Sequence, residues 1–178
     1  FATFFLNRCN RSGIIRGAGM IGGHQQNGKW KLDARYNPES LASRIADIGS
    51  MKDRIVFSSL DGIELLQLAN EYSQISDHET VFCFIDPPYV VQGHTLYMNS
   101  MDEEDHMDLC DYLHSNPAFK WILTYDNCEL IQELYSDLSP HPIGVRYSAN
   151  GRNIGSELLV VDSTLDLPSS QSSKRVAI

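Results

Sequence analysis

The sequence lacks the features that mark membrane and secreted proteins. No apolar run approaches the roughly eighteen residues that a membrane-spanning helix requires. The apolar opening segment, residues 1–6, has neither the charged start nor the cleavage pattern of a secretory signal peptide. We therefore expect neither secretion nor a membrane partner. Because the chain begins with Phe inside an apolar run, we expect it to be a portion of a longer protein.

Cysteine is scarce and widely spaced. The four cysteines form no C-x-x-C pair, which predicts neither a zinc site nor a disulfide framework. Scattered cysteines of this kind are typical of a protein in the reducing cytoplasm. The six histidines also show no metal-ligand spacing, so no metal site is expected. The cysteines are Cys9, Cys83, Cys110 and Cys128.

Basic residues are a minority, but their distribution is uneven. The chain has 14 Lys and Arg against 23 Asp and Glu, a net charge of −9, which argues against a uniformly basic nucleic-acid surface. Residues 1–35, however, contain six basic residues and one acidic residue, a net charge of +5, and the remainder of the chain has a net charge of −14. A basic N-terminal segment on an acidic body favours contact with a polyanion.

The patterning predicts one α/β domain. Glycine punctuates residues 1–35, which predicts hairpins and loops and no helix there. Strands that alternate with helices predict a mainly parallel sheet. The predicted helices cover about 38–49, 62–72, 102–114 and 129–138. The predicted strands cover 54–57, 80–85, 120–124, 142–147 and 157–161, with 80–85 buried on both faces.

One tetrapeptide stands where an α/β sheet usually binds its ligand. Asp86-Pro87-Pro88-Tyr89 directly follows the predicted strand 80–85, and ligand crevices lie at the carboxyl ends of such strands. The Asp86 carboxylate and the Pro87 carbonyl are two neighbouring acceptors, which suit the two hydrogens of an exocyclic amino group. Tyr89 offers a flat face on which a base can stack. The structural alternative is a rigid turn that leaves the strand.

These residues resemble the deoxyadenosine methyltransferases of the Dam type, whose signature is D-P-P-Y. Upstream, residues 4–16 are similar to the family's F-x-N-R…N-G-x-x-R hairpin, with Ser12 where many members have Asn. Segments 32–37, 121–126 and 156–160 are weaker matches. The resemblance implies a Rossmann-like sheet and transfer of a methyl group from S-adenosylmethionine (SAM) to the N6 amino group of adenine in DNA, after base flipping.

The resemblance also implies which residues form the site. Asp86, Pro87, Pro88 and Tyr89 are the catalytic set, and Asp61 and Asp86 are the acids on the cofactor side. For Asp61, a helix-capping role is the alternative. The family's F-x-G-x-G loop, which holds SAM, does not occur in the sequence, so the sheet is expected to be incomplete and the chain to be the C-terminal portion of such an enzyme.

The basic N-terminal segment is assigned to double-stranded DNA. Arg16 is the residue we expect to read a base, and the alternative is a solvated basic loop. We divide the chain into a hairpin-rich recognition segment (1–37), a catalytic portion (38–162) and a disordered tail (163–178). The residues assigned to DNA contact are Asn7, Arg8, Arg11, Ser12, Arg16, Lys29, Lys31 and Arg35.

Two other functions stay open at this point. The same acceptor pair serves any exocyclic amine, so methylation of the cytosine N4 amino group is one alternative. The other is a non-catalytic, truncated DNA-binding remnant, which the absent SAM loop favours. A cognate restriction endonuclease is a further partner that the resemblance allows.

Overall fold

The computed structural model describes residues 1–75, 81–91, 101–147 and 153–167. The chain contacts divide it into a first unit, mainly residues 1–59, and a second unit, mainly residues 60–145 and 154–167. The helices are α1 (Ala2–Cys9), α2 (Pro38–Ser50), α3 (Gly62–Ile75), α4 (Glu103–His114) and α5 (Glu129–Leu134). The strands are β1 (Phe82–Ile85), β2 (Lys120–Asp126), β3 (His141–Tyr147) and β4 (Asn153–Val161).

The first unit begins with a helix, so the prediction of hairpins and loops throughout residues 1–35 is wrong for α1. Phe1, Phe5 and Cys9 recur every four residues and therefore share one helical face. The Phe5 ring packs edge-to-face on Tyr36 with the centroids 5.3 Å apart, and Cys9 is buried. The first glycine of the sequence is Gly13, which lies beyond the end of this helix. After α1, an antiparallel bridge joins Asn10 to Met20.

Helix α2 confirms the prediction at 38–49, but the strand predicted next does not form. The Asn37 side chain caps α2 by accepting a hydrogen bond from the Ser40 backbone at 2.9 Å, and Pro38 occupies the first turn. Residues 52–54 form a 3₁₀ turn, and the following residues have no regular structure. No strand among the described residues pairs with this segment, and the side chain of Val56 is 97% exposed.

The second unit is built on a mixed sheet, so the prediction of a mainly parallel one is wrong. The strand order is β1-β2-β4-β3, with β1 parallel to β2 and β2 antiparallel to β4. Strand β1 lies at the edge of these four strands. Phe82 and Phe84 share one face of this strand and are 53% and 63% exposed, which corrects the expectation of a strand buried on both faces.

The core of this unit surrounds β2. Trp121, Leu123 and Tyr125 alternate along the strand and are each at most 2% exposed. Burial of an apolar side chain of this size stabilises the fold by about 1.5–3 kcal/mol. Helices α4 and α5 close over the strand with Leu109, Cys110, Leu113, Ile131 and Tyr135.

In the second unit, the start of α4 agrees with the sequence prediction, whereas the helix predicted at 129–138 is shorter in the structure. Asp102 caps α4 in a capping box with Asp105, as the acidic start of that helix predicts. The predicted helix 129–138 divides into α5 and a 3₁₀ turn at 136–138. Of the tail predicted to be disordered, residues 163–164 form a turn held by Asp162, residues 165–167 have no regular structure, and 168–178 lie outside the described residues. No helix in the described ranges is long and apolar enough to cross a membrane.

Candidate active site and nucleic-acid interface

The tetrapeptide lies at the carboxyl end of β1, beside the end of β2. The parallel register pairs Ile85 with Leu123, so that the next residues, Asp86 and Thr124, are neighbours. The Thr124 hydroxyl donates a hydrogen bond to Asp86 Oδ1 at 2.7 Å. Thr124 is buried, whereas Asp86 is exposed. The carboxylate is therefore held from the protein side and open to solvent on the other.

Tyr89 is fixed against the core by its ring and its hydroxyl. Its ring packs near Tyr125 with the centroids 6.3 Å apart. Burial raises the pKa of the Tyr89 phenol, and the nearby Asp86 and Glu157 carboxylates raise it further. A hydrogen bond to Glu157 also raises this pKa, and the neighbouring Thr124 side chain acts in the opposite direction. Tyr89 is thus a neutral phenol at physiological pH, with a fixed ring orientation.

Asp126 holds the chain that follows the tetrapeptide. Its two carboxylate oxygens accept hydrogen bonds from the backbone amides of Val90 at 3.1 Å and Val91 at 2.7 Å. Asp126 is 8% exposed, as is its register partner on β4, Glu157. The motif loop is therefore fixed at three points by side chains from β2 and β4.

Thr124, Asp126 and Glu157 were not among the site residues that the sequence predicted. The sequence did contain a signal for the first two, because the predicted strand 120–124 ends next to them. The carboxyl ends of neighbouring parallel strands meet at one edge of a sheet. Glu157 lies in the matching segment 156–160 and begins the predicted strand 157–161, but its pairing with Asp126 is not visible in the residues of that strand alone.

The arrangement is suited to an amine. Asp86 Oδ2 has no hydrogen-bond partner among the described residues, and the Pro87 carbonyl is the adjacent acceptor. Two acceptors that are close together can bind both hydrogens of one amino group. The rigid Pro87-Pro88 backbone keeps these acceptors in place, because proline fixes φ.

Asp61 acts as a helix cap in the structure. Its Oδ1 accepts the Ile63 backbone amide at 2.9 Å, and its carbonyl accepts the Leu65 amide at 3.0 Å, at the start of α3. The side chain is exposed, and its Oδ2 has no partner in the described ranges. A carboxylate oxygen of this kind can accept hydrogen bonds from the hydroxyl groups of a ligand. Two cavities in the described ranges, of about 250 and 190 Å³, are lined by other residues and include neither Asp61 nor Asp86.

The residues assigned to DNA all lie in the first unit, where the side chains of three of them donate hydrogen bonds to backbone carbonyls. Asn7 Nδ2 donates to the Gly13 carbonyl at 3.2 Å, and Arg8 Nε donates to the Arg35 carbonyl at 3.1 Å. Lys31 donates to the Gln26 carbonyl. None of the assigned Arg and Lys side chains pairs with a carboxylate within the part of the chain that the structure describes.

Several assigned side chains are exposed on this unit. Arg11, Ser12 and Arg16 lie on the turn that follows α1, where Ser12 has a φ of 56°. Asn is well tolerated in this left-handed region, which accounts for a position that accommodates either residue. The Lys29 ammonium lies 5.7 Å from the centre of the Trp30 ring, and Trp30 is 66% exposed. Trp30 is not among the residues assigned to DNA, and its exposed ring beside a cation offers a surface on which a base could stack.

The comparisons with known proteins identify the class to which this site belongs. A model of the D12 class N6 adenine-specific DNA methyltransferase family matches residues 3–149. Because this match covers most of the 178 residues, the chain belongs to the D12 class of adenine-specific DNA methyltransferases. The resemblance to Dam-type enzymes is thereby confirmed. A search of curated proteins finds no significant match.

Proposed function

We propose that the chain transfers a methyl group from SAM to the N6 amino group of adenine in double-stranded DNA. The observation that carries this proposal is the position of Asp86 at the end of β1. Its carboxylate is held by Thr124 on one oxygen and exposed beside the Pro87 carbonyl. The family match supports adenine over cytosine as the substrate, and a match from residue 3 to 149 does not favour an inert remnant.

In the proposed reaction, two acceptors each bind one hydrogen of the adenine amino nitrogen. The lone pair of the adenine amino nitrogen is delocalised into the ring, which makes it a poor nucleophile. When Asp86 and the Pro87 carbonyl each accept one of its hydrogens, the nitrogen becomes more tetrahedral and its lone pair is less delocalised into the ring and more available on the nitrogen. Preset acceptors stabilise this arrangement at no cost of reorganisation. SAM, when bound, supplies an electrophilic methyl group on a sulfonium.

Tyr89 binds the base from one side. An adenine inside the duplex is out of reach, so it must be flipped out at a cost of a few kcal/mol. Stacking on an aromatic ring returns about 1–3 kcal/mol per base. Because the Tyr89 ring is already fixed by its contacts with Glu157 and Tyr125, no further ordering is required on binding.

We assign the basic residues of the first unit to the DNA and Asp61 to the cofactor. Arg11, Arg16 and Lys29 are exposed and have no carboxylate partner in the described ranges, which favours phosphate or base contact. Arg8 and Lys31 combine this charge with structural hydrogen bonds. On the cofactor side, the second carboxylate oxygen of Asp61 would accept hydroxyl groups of SAM while the first caps α3.

The test of the function compares Asp86→Ala with Asp108→Ala. Asp108 is an exposed acid on α4, outside the motif, and is a matched control for the loss of one charge. We expect Asp86→Ala to abolish methyl transfer to adenine from labelled SAM, with DNA affinity within twofold of the wild type. Asp108→Ala should retain both. Methylation of cytosine, or equal loss of methylation and DNA binding in Asp86→Ala, would contradict the assignment.

A further inference from the structure

Thr124 contacts two of the four motif residues from a neighbouring strand. Its hydroxyl donates its single hydrogen to Asp86 Oδ1 at 2.7 Å, and the Thr124 side chain also lies close enough to Tyr89 to lower the pKa of that phenol. The Thr124 side chain is 9% exposed and lies between Tyr125 and the buried Leu123 on β2. It is thus a polar contact between the core and Asp86, beside Tyr89.

The position of this hydroxyl is well defined. Threonine is β-branched, so its χ1 torsion is restricted, and burial in a strand restricts it further. Asp86, in contrast, is exposed and could rotate about its side-chain torsions without such a contact. A hydrogen bond that holds Oδ1 selects one orientation of the carboxylate. In that orientation Oδ2 is the oxygen without a partner among the described residues.

We propose that Thr124 is a positioning residue for methyl transfer, which holds Asp86 Oδ1 so that Oδ2 binds a hydrogen of the target amino group. This inference rests on the proposed function and adds a residue to it. Thr124 touches neither the base nor the cofactor and acts through Asp86. The free energy of a hydrogen bond to a charged group corresponds to a factor of about 10 to 100 in rate. We therefore expect the loss of this hydrogen bond to slow methyl transfer by that factor.

The experiment compares Thr124→Val, Thr124→Ser and Thr164→Val. Valine has nearly the shape of threonine without the hydroxyl, and serine restores the hydroxyl. Thr164 is a matched control, because its hydroxyl donates to an aspartate, Asp162, in the turn after β4. Single-turnover rates at saturating SAM and DNA are measured together with DNA affinity and the urea midpoint.

We expect Thr124→Val to lower the single-turnover rate about 10- to 100-fold, with DNA affinity within twofold of the wild type. Thr124→Ser should recover most of the rate, and Thr164→Val should match the wild type. A wild-type rate in Thr124→Val would overturn the positioning role. So would a serine variant as slow as the valine variant, or a loss of rate that follows loss of folding.

A structural readout separates this inference from the proposed function. If the wild-type chain transfers no methyl group, the proposed function fails, yet the orientation of Asp86 can still be measured. Crystal structures of the wild type and Thr124→Val should show the Asp86 carboxylate in one position and in several positions, respectively. A carboxylate that keeps its wild-type position in Thr124→Val overturns the inference whatever the activity.

Discussion

Asp126 Oδ2 lies 2.7 Å from the backbone nitrogen of Val91, although 35 residues separate the two in sequence. The second carboxylate oxygen accepts the preceding amide, that of Val90. A buried carboxylate that binds two consecutive backbone amides fixes the exit of the motif loop without a regular strand or helix. The geometry of Tyr89, one residue before, therefore depends on the end of β2.

Replacement of Asp126 by Ala should loosen this loop. Two backbone amides lose a charged acceptor, and we expect the free energy of unfolding to fall by about 2–4 kcal/mol. Urea denaturation gives this value, and amide exchange should rise most at Val90 and Val91. Asp111→Ala, which removes an exposed acid on α4, is the control. Unchanged exchange at the two valines in Asp126→Ala would contradict the role.

Two substitutions at Tyr89 should distinguish the contribution of its hydroxyl to stability from the contribution of its ring to binding. Tyr89→Phe removes the contact with Glu157 and should lower stability by about 1–2 kcal/mol, with binding of a target duplex retained. Tyr89→Ala should also weaken binding by about 1–3 kcal/mol, because the stacking surface is lost. Fluorescence titration with 2-aminopurine at the target position measures this binding. Equal binding by the Phe and Ala variants would exclude stacking on Tyr89.

Leu123→Ala should be strongly destabilising. Leu123 is completely buried at the centre of the second unit's core, and such a truncation costs about 2–5 kcal/mol. Ile122→Ala, at the next, partly exposed position of β2, should cost clearly less. Thermal and urea unfolding of the two variants provide the comparison. A larger loss at Ile122 than at Leu123 would be inconsistent with the described packing.

The ion pair between His114 and Asp137 should make stability depend on pH. His114 Nε2 lies 3.0 Å from the Asp137 carboxylate and Nδ1 lies 2.8 Å from the Cys110 carbonyl, so both ring nitrogens face acceptors. The hydrogen bond to Asp137 chiefly raises the pKa of His114 above its usual 6.5, and the bond to the Cys110 carbonyl adds to this. The same pairing lowers the pKa of Asp137 below its usual 3.8.

The contribution of His114 is therefore complete below about pH 6.5 and is lost as the pH rises through its raised value. That of Asp137 is present above about pH 3.8 and is lost as the pH falls. We expect His114→Gln to destabilise the protein at pH 5.5 and to differ much less from the wild type at pH 8.5. Urea denaturation at both values is the measurement. A difference that grows with pH would refute the ion pair as its source.

The salt dependence of DNA binding should report the assigned cations. Each phosphate contact contributes about 0.9 to the slope of log K against log salt concentration. Arg11→Gln with Arg16→Gln should therefore reduce this slope by up to about 1.8. Arg44→Gln, an exposed charge on α2 that is not assigned to DNA, is the matched control and should leave the slope unchanged. An equal fall of the slope in the control would mean that the loss of any positive charge has this effect, and would contradict specific phosphate contacts by Arg11 and Arg16.

The elements of the second unit could be predicted because their residues carry strong local signals. The run 120–124 is apolar and becomes β2, and Asp102 with the acids after it begins α4. Helix α1 was missed because the glycines that follow it dominated the interpretation of residues 1–35. The strand at 54–57 was predicted from apolar content alone, but a strand also needs a neighbour for its backbone.

The site itself was predictable in part. Asp86 and Tyr89 were recognisable from their motif, and the closeness of Thr124 follows from two parallel strands that end together. The pairing of Asp126 with Glu157 could not be predicted, because the register of β4 depends on the whole sheet. Local patterns thus identify the groups that would touch a substrate more readily than those that hold them in place.

The parallel pairing of β1 and β2 also affects how the protein folds. Thr124 and Asp86 are 38 residues apart, and Val90 and Asp126 are 36 apart, so every anchor of the motif loop closes a long chain loop. Contacts of high sequence separation form slowly, since the loss of chain entropy precedes their gain. A nascent chain that ends before β2 therefore carries the motif without its geometry. The site is acquired only when the sheet is complete, and not by the segment that contains its signature.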